Sequence, residues 1–197
     1  MLKILGLAGS PRRHGNSETL LDEALAAAQH KGIETEKIAV VSKRIHPCTA
    51  CNWCAEHGEC KQKDYMEELY PKLAECDGLI VASPIFFYSV PAQLKAVIDR
   101  CQTAWNLKYT LKRPLRQKKR GKGAFIGAGA TKGLKLFDGS VLTLKYFFDP
   151  LDIDYEGELL FRGIDAKGEI KKDPSFLEGA RNLGEKLAEM IEESNRN

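Results

Sequence analysis

No stretch of this 197-residue chain is long and apolar enough to read as a membrane span. The apolar opening, Met1-Leu2-Lys3-Ile4-Leu5-Gly6-Leu7, falls well short of the ~20 residues a spanning helix needs. Gly9, Pro11, Arg12 and Arg13 then interrupt it, which does not suit a secretory signal either. The expectation is a cytoplasmic protein with no membrane partner, in a compartment where disulfides are disfavoured. Charge of one sign is scarce too. The net charge of +3, from 30 basic and 27 acidic residues, makes no case for nucleic acid. No internal repeat or low-complexity tract is present. The four histidines, His14, His30, His46 and His57, are scattered, and no Ser/His/Asp set for nucleophilic catalysis emerges. Two phosphate-binding fingerprints are also missing. The spacing Gly6-x2-Gly9-x5-Gly15 does not match G-x-G-x-x-G, and Gly15 is followed by Asn16 rather than by the Lys-Ser/Thr of a P-loop.

What the chain has in unusual density is cysteine. Four fall within thirteen residues, as Cys48-x2-Cys51-x2-Cys54-x5-Cys60. A [4Fe–4S] cubane needs four thiolates at roughly tetrahedral corners, and compact runs of this kind supply them. Zinc is the alternative, with His46 and His57 flanking the thiols, but structural zinc sites usually split into two short pairs a dozen or more residues apart. Solvated loop histidines and unrelated thiols are the plainer readings. Cys76 and Cys101 lie in helical, partly apolar patterns and read as buried, inert thiols.

Hydrophobic residues make up 43% of the chain, enough for one core, and the length suits a single domain over residues 1–197. Short apolar runs alternate with helical patterns. Strands are expected at Leu2–Leu7, Lys37–Val41, Gly78–Ser83, Gly123–Gly127 and Ile153–Phe161. Helices are expected at Ser17–His30, Asp64–Cys76, Pro91–Trp105, Ser140–Phe148 and Pro174–Glu193, with a cysteine-rich insertion at 44–63. Such alternation implies an α/β fold, a doubly wound parallel sheet covered on both faces. Ligands then sit outside the carboxyl ends of the strands, where three loops of unusual composition fall.

The first loop, Gly9–Thr19, is rich in hydroxyls and leads into a helix N-terminus. Backbone N–H groups and the helix dipole favour an anion there. Ser10, Ser17 and Thr19 offer hydrogen bonds and Arg12 a charge, each charge-assisted bond worth on the order of 1.5–3 kcal/mol. A terminal phosphate, as in FMN, suits it. An ordinary turn capped by Asn16 or Ser17 is the alternative. The second loop, Pro84-Ile85-Phe86-Phe87-Tyr88-Ser89, carries three consecutive aromatics that cannot all enter one core. Either some face the crevice against a flat cofactor, or Phe86 and Phe87 pack under the loop. In the third, Gly127–Gly133, Ala128, Gly129 and Ala130 let backbone approach a ligand, and Thr131 and Gly133 complete it. A flexible glycine turn is the alternative. The basic stretch from Lys108 to Lys122 is either a docking surface for an acidic partner or for NADPH phosphates, or a solvated connection.

Four segments in order resemble the iron–sulfur flavoprotein branch of the NADPH-dependent FMN reductase family. They are Gly9-Ser10-Pro11-Arg12-Arg13-His14-Gly15-Asn16-Ser17, the cysteine run, Ser83-Pro84-Ile85-Phe86-Phe87-Tyr88-Ser89, and Gln93-Leu94-Lys95-Ala96-Val97-Ile98-Asp99-Arg100. The resemblance covers residues 1–148. It implies a flavodoxin-like five-stranded sheet of order 2-1-3-4-5 with FMN at the strand termini. It also implies a homodimer or homotetramer in which a cluster approaches a neighbouring subunit's flavin. The function expected is an FMN-dependent oxidoreductase passing electrons between a [4Fe–4S] cluster, FMN and a soluble partner such as a ferredoxin or NAD(P)H. A cluster-free NAD(P)H-dependent FMN or quinone reductase, or a zinc-binding nucleic-acid module, are the alternatives.

Overall fold

The computed structural model describes residues 1–196. Five parallel strands form one sheet, β1 (Lys3–Ala8), β2 (Glu34–Ala39), β3 (Gly78–Pro84), β4 (Gly121–Gly129) and β5 (Ile153–Arg162). Their order is β2-β1-β3-β4-β5, the flavodoxin-like order expected. The helices are α1 (Asn16–His30), α2 (Trp53–His57), α3 (Met66–Glu75), α4 (Ala92–Arg100), α5 (Gln102–Trp105), α6 (Asp138–Phe148) and α7 (Pro174–Arg196). No described helix is long and apolar enough to cross a membrane.

The central strands are apolar on both faces because both are covered. Leu5, Leu7, Leu79, Val81 and Phe125 pack with Leu69, Leu73, Leu94, Val97 and Phe148 on one side. Ile4, Ile80, Ala82 and Ile126 alternate with them and pack with Leu20, Leu21, Ala24, Leu187 and Ile191 on the other. The second layer needs close contact between α1 and α7. At Gly184 a Cβ would lie 2.0 Å from the carbonyl oxygen of Ala24.

Several boundaries differ from the pattern expected. β2 begins three residues earlier and ends at Ala39, because Glu34, Thr35 and Glu36 form a polar edge strand. Glu36 is tied down there by Lys3 (2.8 Å) and Lys72 (2.6 Å). β4 runs two residues further at each end, its small residues keeping register with β3 up to Pro84↔Ala128. The long helix expected over 91–105 breaks after Arg100 into α4 and α5, which run on into a π-turn at Asn106–Thr110. Asp64 lies outside α3, its carboxylate accepting from the Met66 N–H at 3.0 Å.

Candidate cofactor site

The carboxyl ends of β1, β3, β4 and β5 surround a crevice with about 530 Å³ of empty space including its mouth. Ser10, Arg12, Asn16, Ser17, Pro84, Ile85, Phe86, Ala128, Gly129 and Ala130 line it. Thr19, Phe87, Tyr88, Ser89, Thr131 and Gly133 do not, and each has a local reason.

The first loop leaves β1 with the Gly9 N–H bonded to the Ala82 carbonyl at 2.7 Å. The Ser10 hydroxyl accepts from the Arg12 N–H and donates to the Arg12 carbonyl, both at 3.0 Å. Gly15 occupies the N-cap of α1, and no side chain caps that helix. The capped-turn alternative therefore does not hold, and the first-turn N–H groups remain for an anion. Thr19 is already inside the helix, its N–H bonded to the Gly15 carbonyl at 2.9 Å. Asn16 works as a strap. Its side chain donates to Ala166 O (2.9 Å) and accepts from Ile170 N (3.3 Å), drawing the segment after β5 over the crevice.

Beneath this loop lies Glu18, 1% exposed. It accepts from the His14 N–H (2.5 Å) and pairs with Lys37 (3.1 Å) and Arg13 (3.2 Å). Burial works to raise its pKa, but the His14 N–H and the Lys37 and Arg13 charges outweigh it and hold the carboxyl below the usual range. The neutralised carboxylate fixes the loop without repelling an anion above it.

The aromatic loop divides. Phe86 and Ser89 exchange backbone hydrogen bonds at 2.9 and 3.0 Å across Phe87 (φ 50°) and Tyr88 (φ 61°). Two successive positive φ angles make a tight hairpin turn of the kind glycine and asparagine favour. Only Phe86 faces the crevice. Phe87 projects fully into solvent, and the Tyr88 ring lies over Gly133, where a Cβ would come within 2.9 Å of its hydroxyl. In the third segment the small residues serve packing as well as access. A Cβ on Gly127 would meet Leu160 and Phe137 at 2.9 Å. Thr131 and Gly133 turn away because β5 holds them. Thr131 O accepts from the Gly163 N–H at 3.3 Å and Gly133 O from Arg162 Nε at 3.1 Å.

A second pocket is lined by Cys48, Cys51, Cys54 and Cys60 together with Arg100, Gln102 and Thr103. Positive φ angles at Ala50 (52°) and Asn52 (59°) coil the loop so that its thiols converge. Cys54 Sγ accepts from Asn106 Nδ2 at 3.2 Å, and Cys48 Sγ from the Ala50 N–H at 3.5 Å. The Trp53 N–H, the Thr49 hydroxyl and the Lys61 charge pull the Cys51 thiol below its ordinary pKa. Burial instead pushes Cys76 and Cys101 up to about 12, which marks them as inert. Among the described residues no group of three or more His, Cys, Asp or Glu is packed closely enough to hold a single metal ion.

The family model described as NADPH-dependent FMN reductase matches residues 2–136. The chain belongs to the NADPH-dependent FMN reductase family. An iron–sulfur flavoprotein of Methanocaldococcus jannaschii is 36% identical over 96% of this chain and 97% of its own length. One from Archaeoglobus fulgidus is 33% identical, again over 96% and 97%. The NAD(P)H:quinone oxidoreductase of Methanothermobacter marburgensis superposes with a TM-score of 0.72 over 94% of this chain and 96% of that one. At 17% identity, that likeness shows the fold. The protein is a flavin-dependent oxidoreductase of the FMN type.

Two features of this family member were not evident from sequence. Ile164, Asp165 and Lys167, after β5, also line the crevice. Their position at a strand's carboxyl end was the available signal, since the rule applied to β1, β3 and β4 applies to β5 too. The basic stretch is largely spent on the fold. Arg116 is buried and donates to the carbonyls of Cys76 (2.6 Å) and Ala74 (3.2 Å), closing the end of α3. Lys118 reaches Asp77 and the Glu75 carbonyl. Lys108, Arg120 and Lys122 pair with Asp149, Asp152, Asp154 and Glu156. Lys112, Arg113 and Lys119 of the same stretch are exposed.

Proposed function

We propose that this oxidoreductase passes electrons between FMN in the crevice and a [4Fe–4S] cluster held by Cys48, Cys51, Cys54 and Cys60. The observation that carries the reading is that all four cysteines line one pocket. Bound together, FMN supplies two-electron hydride exchange and the cluster one-electron exchange, which links two classes of redox partner.

The chain's own part is placement. Ser10, Ser17 and the open N–H groups of α1 would take the FMN phosphate, with Arg12 above them. Arg12 donates to the Asp165 carbonyl at 3.3 Å, so the charge already leans across the mouth. Ile85 and Phe86 on one side and Ala128, Gly129 and Ala130 on the other leave a slot for a planar ring. α4 begins three residues after Ser89 and ends at Arg100 in the cysteine pocket, so a nine-residue helix, about 13 Å of rise, connects the two sites. NAD(P)H or a ferredoxin would be the soluble partner.

The test is anaerobic purification followed by extraction of flavin and assay of iron and acid-labile sulfide. FMN with iron and sulfide in equal amounts is expected. The Cys60→Ala protein should lose iron and sulfide and keep FMN. Zinc in place of iron, or FAD in place of FMN, would contradict the reading.

A further inference from the structure

Arg100 holds both stems of the cysteine loop while its own side chain is only 1% exposed. A guanidinium carries five N–H donors and no acceptor. Nη1 donates to the His46 carbonyl at 2.9 Å and to Asp64 Oδ2 at 2.6 Å. Nη2 donates to the Gln62 carbonyl and to Asp64 Oδ1, both at 3.2 Å. His46 lies two residues before Cys48, and Gln62 two residues after Cys60. The stems also bond each other, the His46 N–H to Asp64 Oδ2 and the Gln62 side chain to the Pro47 carbonyl, both at 2.9 Å. One side chain from α4 thus closes the base of the loop on which all four thiols ride.

The fifth donor is left over. Arg100 Nε is buried and has no hydrogen-bond partner among the described residues. Folded proteins rarely strand a buried donor, and a charged group makes the omission more costly. Arg100 lines the pocket of the four cysteines, and four of its five N–H groups are fixed on the loop stems. Asp64 already balances its charge, so charge alone does not account for a guanidinium here. A lysine would supply the charge without the fork that fixes the plane. What remains is a rigidly held, buried donor on a side chain that lines the pocket of the four cysteines.

We propose that Arg100 is a positioning residue of the four-cysteine site, clamping the loop stems with Nη1 and Nη2 and donating its Nε–H to a sulfur in that pocket. The inference rests on the cluster reading above. Donors to cluster sulfur favour the reduced, more negative form, so this one raises the reduction potential.

Reduced protein prepared with ¹⁵N-arginine should show a ¹⁵N hyperfine coupling to the cluster in pulsed electron–nuclear double resonance. The signal should vanish in Arg100→Lys, and any cluster that variant holds should have a lower reduction potential. FMN content reports whether the variant has folded. Should Arg100→Lys fail to fold, the wild-type spectrum decides alone. Iron-loaded wild type with no arginine ¹⁵N coupling would overturn the Arg100 assignment and leave the cluster reading standing. The same coupling and potential in Arg100→Lys would overturn it equally. Wild type that takes up no iron or sulfide under anaerobic reconstitution would overturn the cluster reading, and this inference with it.

Discussion

Ser17 and Arg12 differ in what they have to lose. Ser17 is buried beside the open N-terminus of α1, whereas Arg12 is exposed and leans on Asp165. Replacing either by alanine should weaken FMN by roughly 1.5–3 kcal/mol, one charge-assisted hydrogen bond. Riboflavin, which has no phosphate, should bind almost unchanged, and fluorescence titration of the apoprotein with both ligands checks this. Equal losses would place the two residues in the fold instead. Glu18 gives the loop a pH dependence. Its carboxyl pKa is held down in the folded protein, so the stabilisation is complete above its unfolded value of about 4.3. That stabilisation is lost as pH falls through the lower, folded pKa. An acid titration of thermal stability should therefore show a decline below about pH 4.3 that is shallower in Glu18→Gln, since Glu36, Asp64 and Asp154 are held down as well. A Glu18→Gln curve parallel to wild type would remove Glu18 from the account. The thiols divide by burial. In metal-free protein, iodoacetamide at neutral pH should label Cys48, Cys51, Cys54 and Cys60 and spare Cys76 and Cys101, whose pKa values are pushed up to about 12. Peptide mapping that finds Cys76 or Cys101 modified in folded protein would contradict this.

At the scale of elements, the contact between α1 and α7 is the most exacting. Gly184→Ala sets a methyl against the Ala24 backbone, which cannot swing aside as a side chain tip can. The expected cost is about 3 kcal/mol or more, read as a lowered thermal midpoint of the apoprotein. A midpoint within the scatter of wild type would show that the helices slide apart freely. Arg116→Met is the companion test on the other face. It strips donors from the Ala74 and Cys76 carbonyls and should cost ~2–3 kcal/mol, with FMN affinity unchanged. What the chain made legible at this scale follows from periodicity. The buried strands β1 and β3 stand out as apolar runs and α1 and α7 as helical repeats, which gives a covered parallel sheet, whereas its strand order follows from the family resemblance. β2 was misplaced because a polar edge strand carries alternating charge rather than an apolar run, and Glu34 to Lys37 look like surface until Lys3 and Lys72 are seen opposite. The break after Arg100 was hidden because Leu94, Val97, Ile98 and Cys101 keep helical spacing across it. At the site, hydroxyls in the first loop, consecutive aromatics in the second and small residues in the third pointed to three of the four lining segments. Ile164–Lys167 escaped because its residues have no phosphate-binding signature, and the splaying of Phe86, Phe87 and Tyr88 depends on positive φ angles that no residue type there announces. The role of Arg116 as a helix-end cap, within a stretch that reads as surface charge, requires the fold.

Over the whole molecule, the crevice at the carboxyl edge of the sheet and the cysteine pocket are joined by α4, whose first residues follow the Phe86–Ser89 turn and whose last, Arg100, grips the loop that carries the thiols. On the proposed reading, this helix would set the spacing between flavin and cluster, and the cysteine-rich segment 44–63, some twenty residues, would supply the second centre. The homodimer or homotetramer that the family resemblance implies is tested at this scale as well. Trp105, Leu142 and Tyr146 are exposed together along a groove between α4, α5 and α6. Burial of that face in an oligomer should make Leu142→Glu run smaller than wild type by light scattering, whereas an unchanged mass would leave the face without a partner. The central claim, that flavin and cluster coexist on this chain, has one direct measurement. Protein purified without oxygen should be assayed for FMN, iron and acid-labile sulfide on the same sample, with the Cys60→Ala protein beside it. The account predicts FMN in both, and iron with equal sulfide in wild type alone. Wild type that binds FMN but takes up neither iron nor sulfide, even after anaerobic reconstitution, would contradict it.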